Sequence, residues 1–273
     1  MTSKNKSMGE MQRKYWDGLS DRYQRIMKIS LEDFHYGPQI PGEKDLHLLP
    51  VLKAGMKALE LGCGAGQNSI WLSKQGLECS AFDISEEQLR HARALARGNG
   101  VKIAFSRGSF EKWPSRFKGP YDFVHSSHAF EFADDPADAI RHIASVLAPR
   151  GWLMISTVHP LYNGDWVESY DEDGTVDGMG LFLRNYFTPP DDIRLKHGKV
   201  DVISRAYPVS AWFDWLRLAG FEVVRLAEPP AFPKGEGDPP YTNKDWADTE
   251  GELQAIPGTL IILARKKAKS DAV

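Results

Sequence analysis

The strongest constraint on the fold is a short apolar run that enters three alternating glycines and continues into a helical pattern. It reads ALELGCGAGQNSIW over residues 58–71, with glycines at Gly62, Gly64 and Gly66. Glycine lets backbone N–H groups approach a ligand because no Cβ stands in the way, and a turn between a strand and a helix points those groups outward. The stretch therefore predicts a strand, a ligand-binding turn and a helix.

A regular alternation of strand-like and helical patterns surrounds this turn. Apolar runs typical of strands occupy 57–62, 78–83, 102–107, 121–127 and 152–158, and helical patterns occupy 67–76, 85–97 and 136–148. Ser85 with Gln88 forms a capping box at the start of the second of these helices, and Gly98 closes it. Strands that alternate with helices predict βαβ units and a parallel sheet covered on both faces.

The two ends of the chain depart from this alternation. Residues 8–30 predict an amphipathic helix, and a short helix is predicted at 43–52. The aromatic-rich, turn-rich stretch 159–199 predicts an insertion or cap. A strand at 200–207, a helix capped at Ser210, and strands at 221–227 and 259–265 then follow. We expect an N-terminal helical segment over 1–50 that closes over the ligand site, and a main domain over 51–273 in which 159–207 form a substrate cap.

Composition excludes several classes of protein. With 273 residues, 42% hydrophobic and 26% charged, the chain is typical of a globular α/β protein, and no apolar run is long enough to span a membrane. A net charge of −3 gives no basic surface for nucleic acid. Cys63 and Cys79 form no metal-binding pattern, so no metal is expected. The N-terminus has no secretory signal pattern, which predicts a cytoplasmic protein. Since the charge gives no basic surface, a small molecule is the expected substrate.

The glycine spacing distinguishes among nucleotide cofactors. A dinucleotide turn needs a third glycine where Gln67 stands, and a P-loop needs a Gly-Lys-Ser/Thr sequence that does not follow. Glu60-Leu-Gly-Cys-Gly-Ala-Gly66 instead resembles the acidic-x-G-x-G-x-G motif of the class I S-adenosylmethionine-dependent methyltransferases. Asp83 ends the next predicted strand, where a carboxylate in an α/β crevice can accept hydrogen bonds from a ribose diol.

Three later segments are also similar to this family, in the same order. Arg107-Gly-Ser-Phe110 resembles the loop that borders the adenine, and 121–127 resembles the strand that lines the methionine end. Residues 147–156 resemble a stretch of the small-molecule branch, which includes the ubiquinone and menaquinone methyltransferases. Two residues depart from the family pattern: Ser109 replaces a common Asp, and Arg150 replaces a glycine.

The resemblance implies a Rossmann-like fold and a set of site residues. The fold would be a seven-stranded, mostly parallel sheet with helices on both faces, a cap insertion after the fifth strand, and an antiparallel last strand at 259–265. S-adenosylmethionine would be the cofactor. The implied cofactor-binding residues are Glu60, Gly62, Gly64, Gly66, Asp83, Ile84, Ser109, Phe110 and Ser126, together with Tyr15 and Tyr23 of the N-terminal helix.

Catalytic candidates follow from the chemistry of methyl transfer. A base is needed only if the acceptor is a hydroxyl or an ammonium group that must lose a proton. His128 and Glu131 after the fourth strand, and His159 after the fifth, are the candidates, because ligands bind at the carboxyl ends of parallel strands. The sequence does not identify the acceptor atom or the oligomeric state.

Two alternatives and one misleading motif complete the interpretation. A nicotinamide-dependent oxidoreductase would keep the fold and change the cofactor, and a protein could bind S-adenosylmethionine without transferring a methyl group. Asp238-Pro-Pro-Tyr241 matches a motif of nucleic-acid amino-methyltransferases, but it follows the wrong strand, so a proline-rich loop is the simpler interpretation.

Overall fold

The computed structural model describes residues 8–232, 237–243 and 255–268. The helices are α1 (Met8–Ile26), α2 (Glu43–Leu46), α3 (Gln67–Lys74), α4 (Glu86–Gly98), α5 (Pro136–Val146) and α6 (Val209–Leu218). The strands are β1 (Lys28–Ile29), β2 (Lys57–Leu61), β3 (Glu78–Asp83), β4 (Ala104–Arg107), β5 (Tyr121–Ser127), β6 (Leu147–Val158), β7 (Asp165–Tyr170), β8 (Val176–Phe182), β9 (Asp192–Lys196), β10 (Lys199–Ser204), β11 (Phe221–Ala227), β12 (Tyr241–Thr242) and β13 (Thr259–Lys266).

Seven of these strands form the central sheet, in the order β11-β13-β6-β5-β2-β3-β4. Strands β4, β3, β2, β5 and β6 pair in parallel. Strand β13 is antiparallel to both β6 and β11. The predicted seven-stranded, mostly parallel sheet with an antiparallel last strand is thus confirmed.

Helices and loops bury both faces of the sheet, which explains why its strands read as continuous apolar runs. On one face Leu59, Val124 and Leu153 pack in the same hydrophobic cluster as the apolar residues of α5 and α6. On the other face Ala58 and Phe123 pack against residues 34–48 and α3. Neighbouring residues of one strand therefore enter different clusters, as the two-residue period of a strand requires.

The helix that follows β3 begins as the sequence predicts. The Ser85 hydroxyl accepts the Gln88 N–H at 3.1 Å, which satisfies a donor that a helix start leaves unpaired. The predicted cap at Ser210 is wrong, because α6 begins at Val209 and its N-cap residue is Pro208, with no side-chain cap. Pro208 has no N–H to satisfy and its φ is fixed near the helical value, so the helix starts without a polar cap.

The cap is more regular than the sequence pattern predicts. Strands β7 and β8 form one antiparallel pair, and β9 and β10 form another. The strand predicted at 200–207 ends at Ser204 and pairs only within this cap. The N-terminal helix ends at Ile26 rather than residue 30, and α2 has only four residues. Turn residues and aromatics dominate the cap, so alternation there is too weak to reveal short hairpins.

Candidate functional site

A cleft of about 920 Å³ opens at the carboxyl ends of β2, β3 and β5. In a parallel sheet these strand ends meet at one edge, where ligands of α/β proteins bind. This volume includes the part of the cleft that is open to solvent. The lining residues include Gly62, Gly64, Asp83, Ile84, Ser109, Phe110, Ser127, His128 and the α1 residues Gln12, Trp16, Tyr23 and Gln24.

The glycine turn has a conformation that side chains would strain. Gly62, Gly64 and Gly66 have φ values of +66°, +53° and +75°. A Cβ on Gly62 would lie 2.3 Å from the Ala129 Cβ, whereas a Cβ on Gly64 would meet no protein atom within 4 Å. Gly64 lines the cleft, so its missing side chain leaves free space for a ligand, while Gly62 is needed for packing.

Asp83 holds this turn in place. One carboxylate oxygen accepts the Gly64 N–H at 2.8 Å and the other accepts the Ser85 N–H at 2.8 Å. Burial raises the pKa of Asp83 to about 6, and these backbone donors oppose that rise. The carboxylate therefore lines the cleft and also fixes the backbone on both sides of it.

Glu60 binds the start of α3 from the opposite end of the turn. Its Oε2 accepts the Ser69 N–H at 3.1 Å and the Ser69 hydroxyl at 2.5 Å. Burial raises the pKa of Glu60 to about 8. Glu60 also lines the cleft, so it can contact a ligand there in addition to holding the helix.

The end of the cleft next to β4 is formed by the residues that the sequence assigns to the adenine. Ile84, Ser109 and Phe110 all line it. The Phe110 ring packs against Phe130, with 4.7 Å between ring centroids. This end of the cleft presents one aromatic edge and a short polar loop, which suits a flat heterocycle.

Ser126 has a different position from the other predicted residues. It is buried, its hydroxyl donates to the Leu61 carbonyl at 2.9 Å, and it is not among the lining residues of the cleft. Its neighbour Ser127 lines the cleft instead. Successive residues of a strand point to opposite faces, which explains why Ser126 is buried while its neighbour Ser127 lines the cleft.

Helix α1 covers the cleft. Asp17 accepts a hydrogen bond from the Ser85 hydroxyl at 2.8 Å, and Asp21 lies 2.5 Å from Arg90 Nη2 and 2.8 Å from His91 Nε2 on α4. A chain of glutamines also crosses from α3 to α4: Gln67 donates to Gln24 at 3.1 Å, and Gln24 donates to Gln88 at 2.9 Å. All three glutamines line the cleft.

A second cavity lies between α1 and the cap. It is lined by Tyr15, Trp16, Leu19, Arg22, Tyr23, Ile26, Met27, Pro38, Gln39, His128, Glu131, Phe132, Val158, Tyr162, Asp192, Arg194, Ser204, Tyr241, Gly258 and Thr259. Trp16, Tyr23, His128 and Phe132 also line the cleft. The two spaces therefore adjoin at these four residues, and Tyr15 belongs to the second cavity rather than the cleft.

His128 stands at this junction in an uncommon backbone conformation. Its φ is +50°, in the left-handed region that residues other than glycine seldom adopt. Its Nδ1 lies 3.4 Å from Glu131 Oε1 and its Nε2 lies 3.0 Å from the Thr259 hydroxyl. Glu131 is buried, and its other oxygen accepts the Thr157 hydroxyl at 3.3 Å. With Nδ1 facing the buried Glu131 carboxylate, Nε2 is the nitrogen that can take a proton, and to act as a base it would exchange its contact with the Thr259 hydroxyl for one with the acceptor.

The structure does not bring His159 to either cavity. Its Nδ1 accepts the Leu161 N–H at 3.2 Å, so its proton is on Nε2, which lies 2.8 Å from Glu228 Oε1. Burial lowers the pKa of His159, and the Glu228 carboxylate opposes that change. Nδ1 thus serves the turn that follows β6, and Nε2 contacts Glu228, which follows β11.

Several lining residues carry no sequence signal. His35, Gln24 and Gln88 face the cleft, and Tyr241, the last residue of Asp-Pro-Pro-Tyr, faces the second cavity. Tyr241 pairs through β12 with β1, and its hydroxyl contacts the Tyr23 hydroxyl. Only the three-dimensional approach of distant segments places these residues together.

Comparison with protein families gives one match that covers most of the chain. A family model described as a methyltransferase domain matches residues 35–226. This range contains the glycine turn, Asp83, His128 and the cap. The match gives no support to the nicotinamide-dependent alternative.

Curated relatives match a shorter part. The ubiquinone biosynthesis O-methyltransferase of Bordetella pertussis is 30% identical over 106 residues, which is 39% of this chain and 44% of the relative. The ubiquinone biosynthesis O-methyltransferase of Marinobacter nauticus is 32% identical over 108 residues, which is 39% of this chain and 45% of the relative. The match thus spans less than half the length of these relatives.

Solved structures share the fold. An S-adenosylmethionine-dependent methyltransferase from Mesorhizobium loti superposes with a TM-score of 0.62 at 23% identity, over 81% of this chain and 94% of that one. One from Methanosarcina mazei gives a TM-score of 0.53 at 16% identity, over 80% and 95% of the two chains. Within the described residues, no helix is both long enough and apolar enough to cross a membrane.

Proposed function

The chain belongs to the family of methyltransferase domains, and on that premise we propose that it transfers a methyl group from S-adenosylmethionine to a small-molecule acceptor. The observation that carries the proposal is the cleft at the strand ends, where a glycine turn with positive φ angles and a buried carboxylate face the same space. S-adenosylmethionine, when bound, supplies a methyl group on a positively charged sulfur. The remaining chemistry belongs to the side chains around it.

The residues present fit this cofactor. Gly64 leaves the space of a side chain empty in the cleft wall, and Asp83 offers a carboxylate beside it. We assign Gly62, Gly64, Gly66 and Glu60 to the turn that supports the cofactor and Asp83 to the ribose. Ile84, Ser109 and Phe110 border the adenine in this assignment. Ser127 replaces Ser126 at the methionine end, and Tyr23 with its helix covers the cofactor.

We place the acceptor in the second cavity, because that cavity meets the cleft at Trp16, Tyr23, His128 and Phe132. The cap, residues 159–207, contributes Tyr162 and Arg194 to the wall and would select the acceptor. The aromatic side chains at this junction favour methyl transfer from a cation, since charge is dispersed in the transition state. The cytoplasmic location, the absence of nucleic-acid partners and the domain boundaries stay predictions from the sequence.

Isothermal titration of the purified protein tests the cofactor. We expect S-adenosylmethionine and S-adenosylhomocysteine to bind with micromolar dissociation constants and NADH not to bind. Release of S-adenosylhomocysteine in the presence of phenolic, amine and thiol acceptors then tests transfer. Binding without release of this product over the whole set would support a binding protein rather than a transferase.

We further propose that His128, oriented by Glu131, removes the proton of a hydroxyl acceptor. The prediction concerns His128→Gln, which keeps a polar side chain but cannot hold the proton. Turnover should fall by about 10²–10⁴-fold on a phenol, which must lose its proton. It should fall far less on an acidic thiol that is already ionised at pH 8, and the dissociation constant of S-adenosylhomocysteine should stay unchanged.

The matched control is His159→Gln, because His159 lies in neither cavity. If the rate loss in His128→Gln were equal for the phenol and the thiol, the residue would have a positioning role only. If His159→Gln instead changed the pH dependence of the rate, the assignment of the base would have to move to His159.

A further inference from the structure

One buried side chain of the cleft has no hydrogen-bond partner. His35 is 8% exposed and lines the cleft, and its ring packs edge to face against Tyr241, with 5.2 Å between ring centroids. Its Nδ1 is sealed from solvent and unpartnered, and no described residue hydrogen-bonds Nε2. Nδ1 is fully enclosed, so a ligand in the cleft can reach only Nε2, and a polar atom this close to the interior costs free energy until it has a partner.

The backbone around His35 is held firmly from two sides. Its N–H donates to Asn68 Oδ1 at 2.9 Å, and its carbonyl accepts from Asn68 Nδ2 at 2.9 Å. The Ser127 hydroxyl also donates to this carbonyl at 3.3 Å. Since α3 and β5 both fix the backbone of the segment, the position of His35 at the wall of the cleft is set by the fold.

The position of the proton on the ring follows from burial. Burial lowers the pKa of His35 to about 3, with a further contribution from His128, so the ring is neutral at pH 7. A neutral imidazole carries one N–H. A proton on the enclosed Nδ1 would leave an N–H donor with no partner among the described residues, so we assign the proton to Nε2. His35 therefore presents a donor to the cleft.

His35 also lies at a defined end of the cleft. Ser109 and Phe110 stand at the β4 end, Asp83 stands at β3, and His35 is tied to Ser127 at the β5 end. The ligand group at the β5 end is the one farthest from the adenine, namely the amino-acid part of the cofactor. Its carboxylate is an acceptor without protons of its own and matches an N–H donor.

We propose that His35 binds the α-carboxylate of the cofactor's methionine part through Nε2–H. The inference rests on the proposed function, because it uses the orientation in which Asp83 meets the ribose. His35 acts in cofactor binding and does not touch the transferred methyl group.

The test compares two ligands on two variants by isothermal titration. S-adenosylhomocysteine carries the carboxylate, whereas 5′-methylthioadenosine lacks the whole amino-acid part. In His35→Phe we expect about tenfold weaker binding of S-adenosylhomocysteine, as for one hydrogen bond to a charged group, and unchanged binding of methylthioadenosine. In His35→Gln, whose amide can donate from a similar position, we expect a loss of less than threefold.

A spectroscopic measurement covers the case in which His35→Phe does not fold. In wild-type protein labelled with ¹⁵N-histidine, the Nε2–H resonance that is missing in His35→Gln should shift on addition of S-adenosylhomocysteine but not of methylthioadenosine. If His35→Phe bound both ligands equally more weakly, or bound both as well as wild type does, the role of His35 would be overturned. Normal binding by wild type would in either case leave the proposed function intact. Failure of wild type to bind either ligand would instead remove the proposed function itself.

Discussion

At the residue scale, Asp83 makes the cofactor site sensitive to pH. Burial raises the pKa of Asp83 from its ordinary value of 3.8 to about 6. If the ionised carboxylate accepts hydrogen bonds from the ribose, binding favours the charged form. The affinity for S-adenosylhomocysteine should then be full above pH 7 and fall as the pH drops through 6, by about tenfold at pH 5. Titration calorimetry between pH 5 and 8 measures this profile.

The control for this profile is Asp83→Asn. An amide oxygen can still accept one of the two N–H groups of Gly64 and Ser85, whereas alanine would release both. We expect the Asn variant to bind S-adenosylhomocysteine about 10- to 100-fold more weakly, with no fall in affinity between pH 7 and pH 5. A pH profile that persisted in this variant would assign the titration to another group.

A comparison of Gly64 with Gly100 distinguishes two effects of an added side chain, namely strain in the backbone and loss of space for the ligand. Gly64 and Gly100 both have positive φ, +53° and +69°, and a Cβ on either would meet no protein atom within 4 Å. Alanine at either position should destabilise the fold by about 1–2 kcal/mol because of the left-handed conformation. Only Gly64→Ala should also lower affinity for S-adenosylhomocysteine, since Gly64 lines the cleft and Gly100 does not.

Thermal unfolding and titration calorimetry together test this pair. The stability change should be similar in the two variants, and the change in affinity should be confined to Gly64→Ala. If both variants bound the ligand equally well, the turn would have a structural role without a direct contribution to binding.

At the scale of elements, helix α1 is the part that should respond to the cofactor. Its contacts to α4 and α3 are side-chain hydrogen bonds and exposed ion pairs, which contribute little each and break independently of the sheet. A ligand enclosed beneath the helix would favour the closed position. We expect amide exchange in α1 to slow several-fold when S-adenosylhomocysteine saturates the protein.

Helix α6 is the internal control for this measurement. Its Trp212 and Leu216 are fully buried in the cluster on one face of the sheet, and it lines neither the cleft nor the second cavity. Its exchange should not change on addition of the ligand. Equal protection of α1 and α6 would indicate global stabilisation rather than closure of α1.

Sequence patterns predict best those elements whose conformation depends on residues that are neighbours in the chain. The strands of the sheet, the Ser85 cap and the glycine turn follow from apolar runs and from residue types that one conformation requires. The cap predicted at Ser210 is wrong because Pro208 is already the N-cap residue and α6 begins at Val209. His35 and Tyr241 could not be found, since their place in the site depends on contacts with Asn68 and with β1.

At the scale of the whole molecule, the protein combines a well-buried sheet with a thinly packed cap. In the sheet, most residues of β2, β5 and β6 are buried, whereas in the cap Val167, Tyr170 and Phe182 are each about half exposed. A two-stranded hairpin is marginally stable by itself in water. The cap therefore depends on what fills the cavity beneath it, and its opening free energy should be well below that of the sheet.

Limited proteolysis tests this division. Among the described residues, the first tryptic cuts should fall in the cap, at Arg184, Arg194, Lys196 or Lys199, before any cut in the helices that cover the sheet. S-adenosylhomocysteine alone should slow these cuts little, because the cavity under the cap adjoins the cleft at only four residues. An acceptor added with it should slow them markedly, since it would fill the space between α1 and the cap. First cuts at Arg93 or Arg141, on α4 and α5, would contradict the ranking, and protection of the cap by S-adenosylhomocysteine alone would place part of the cofactor beneath it.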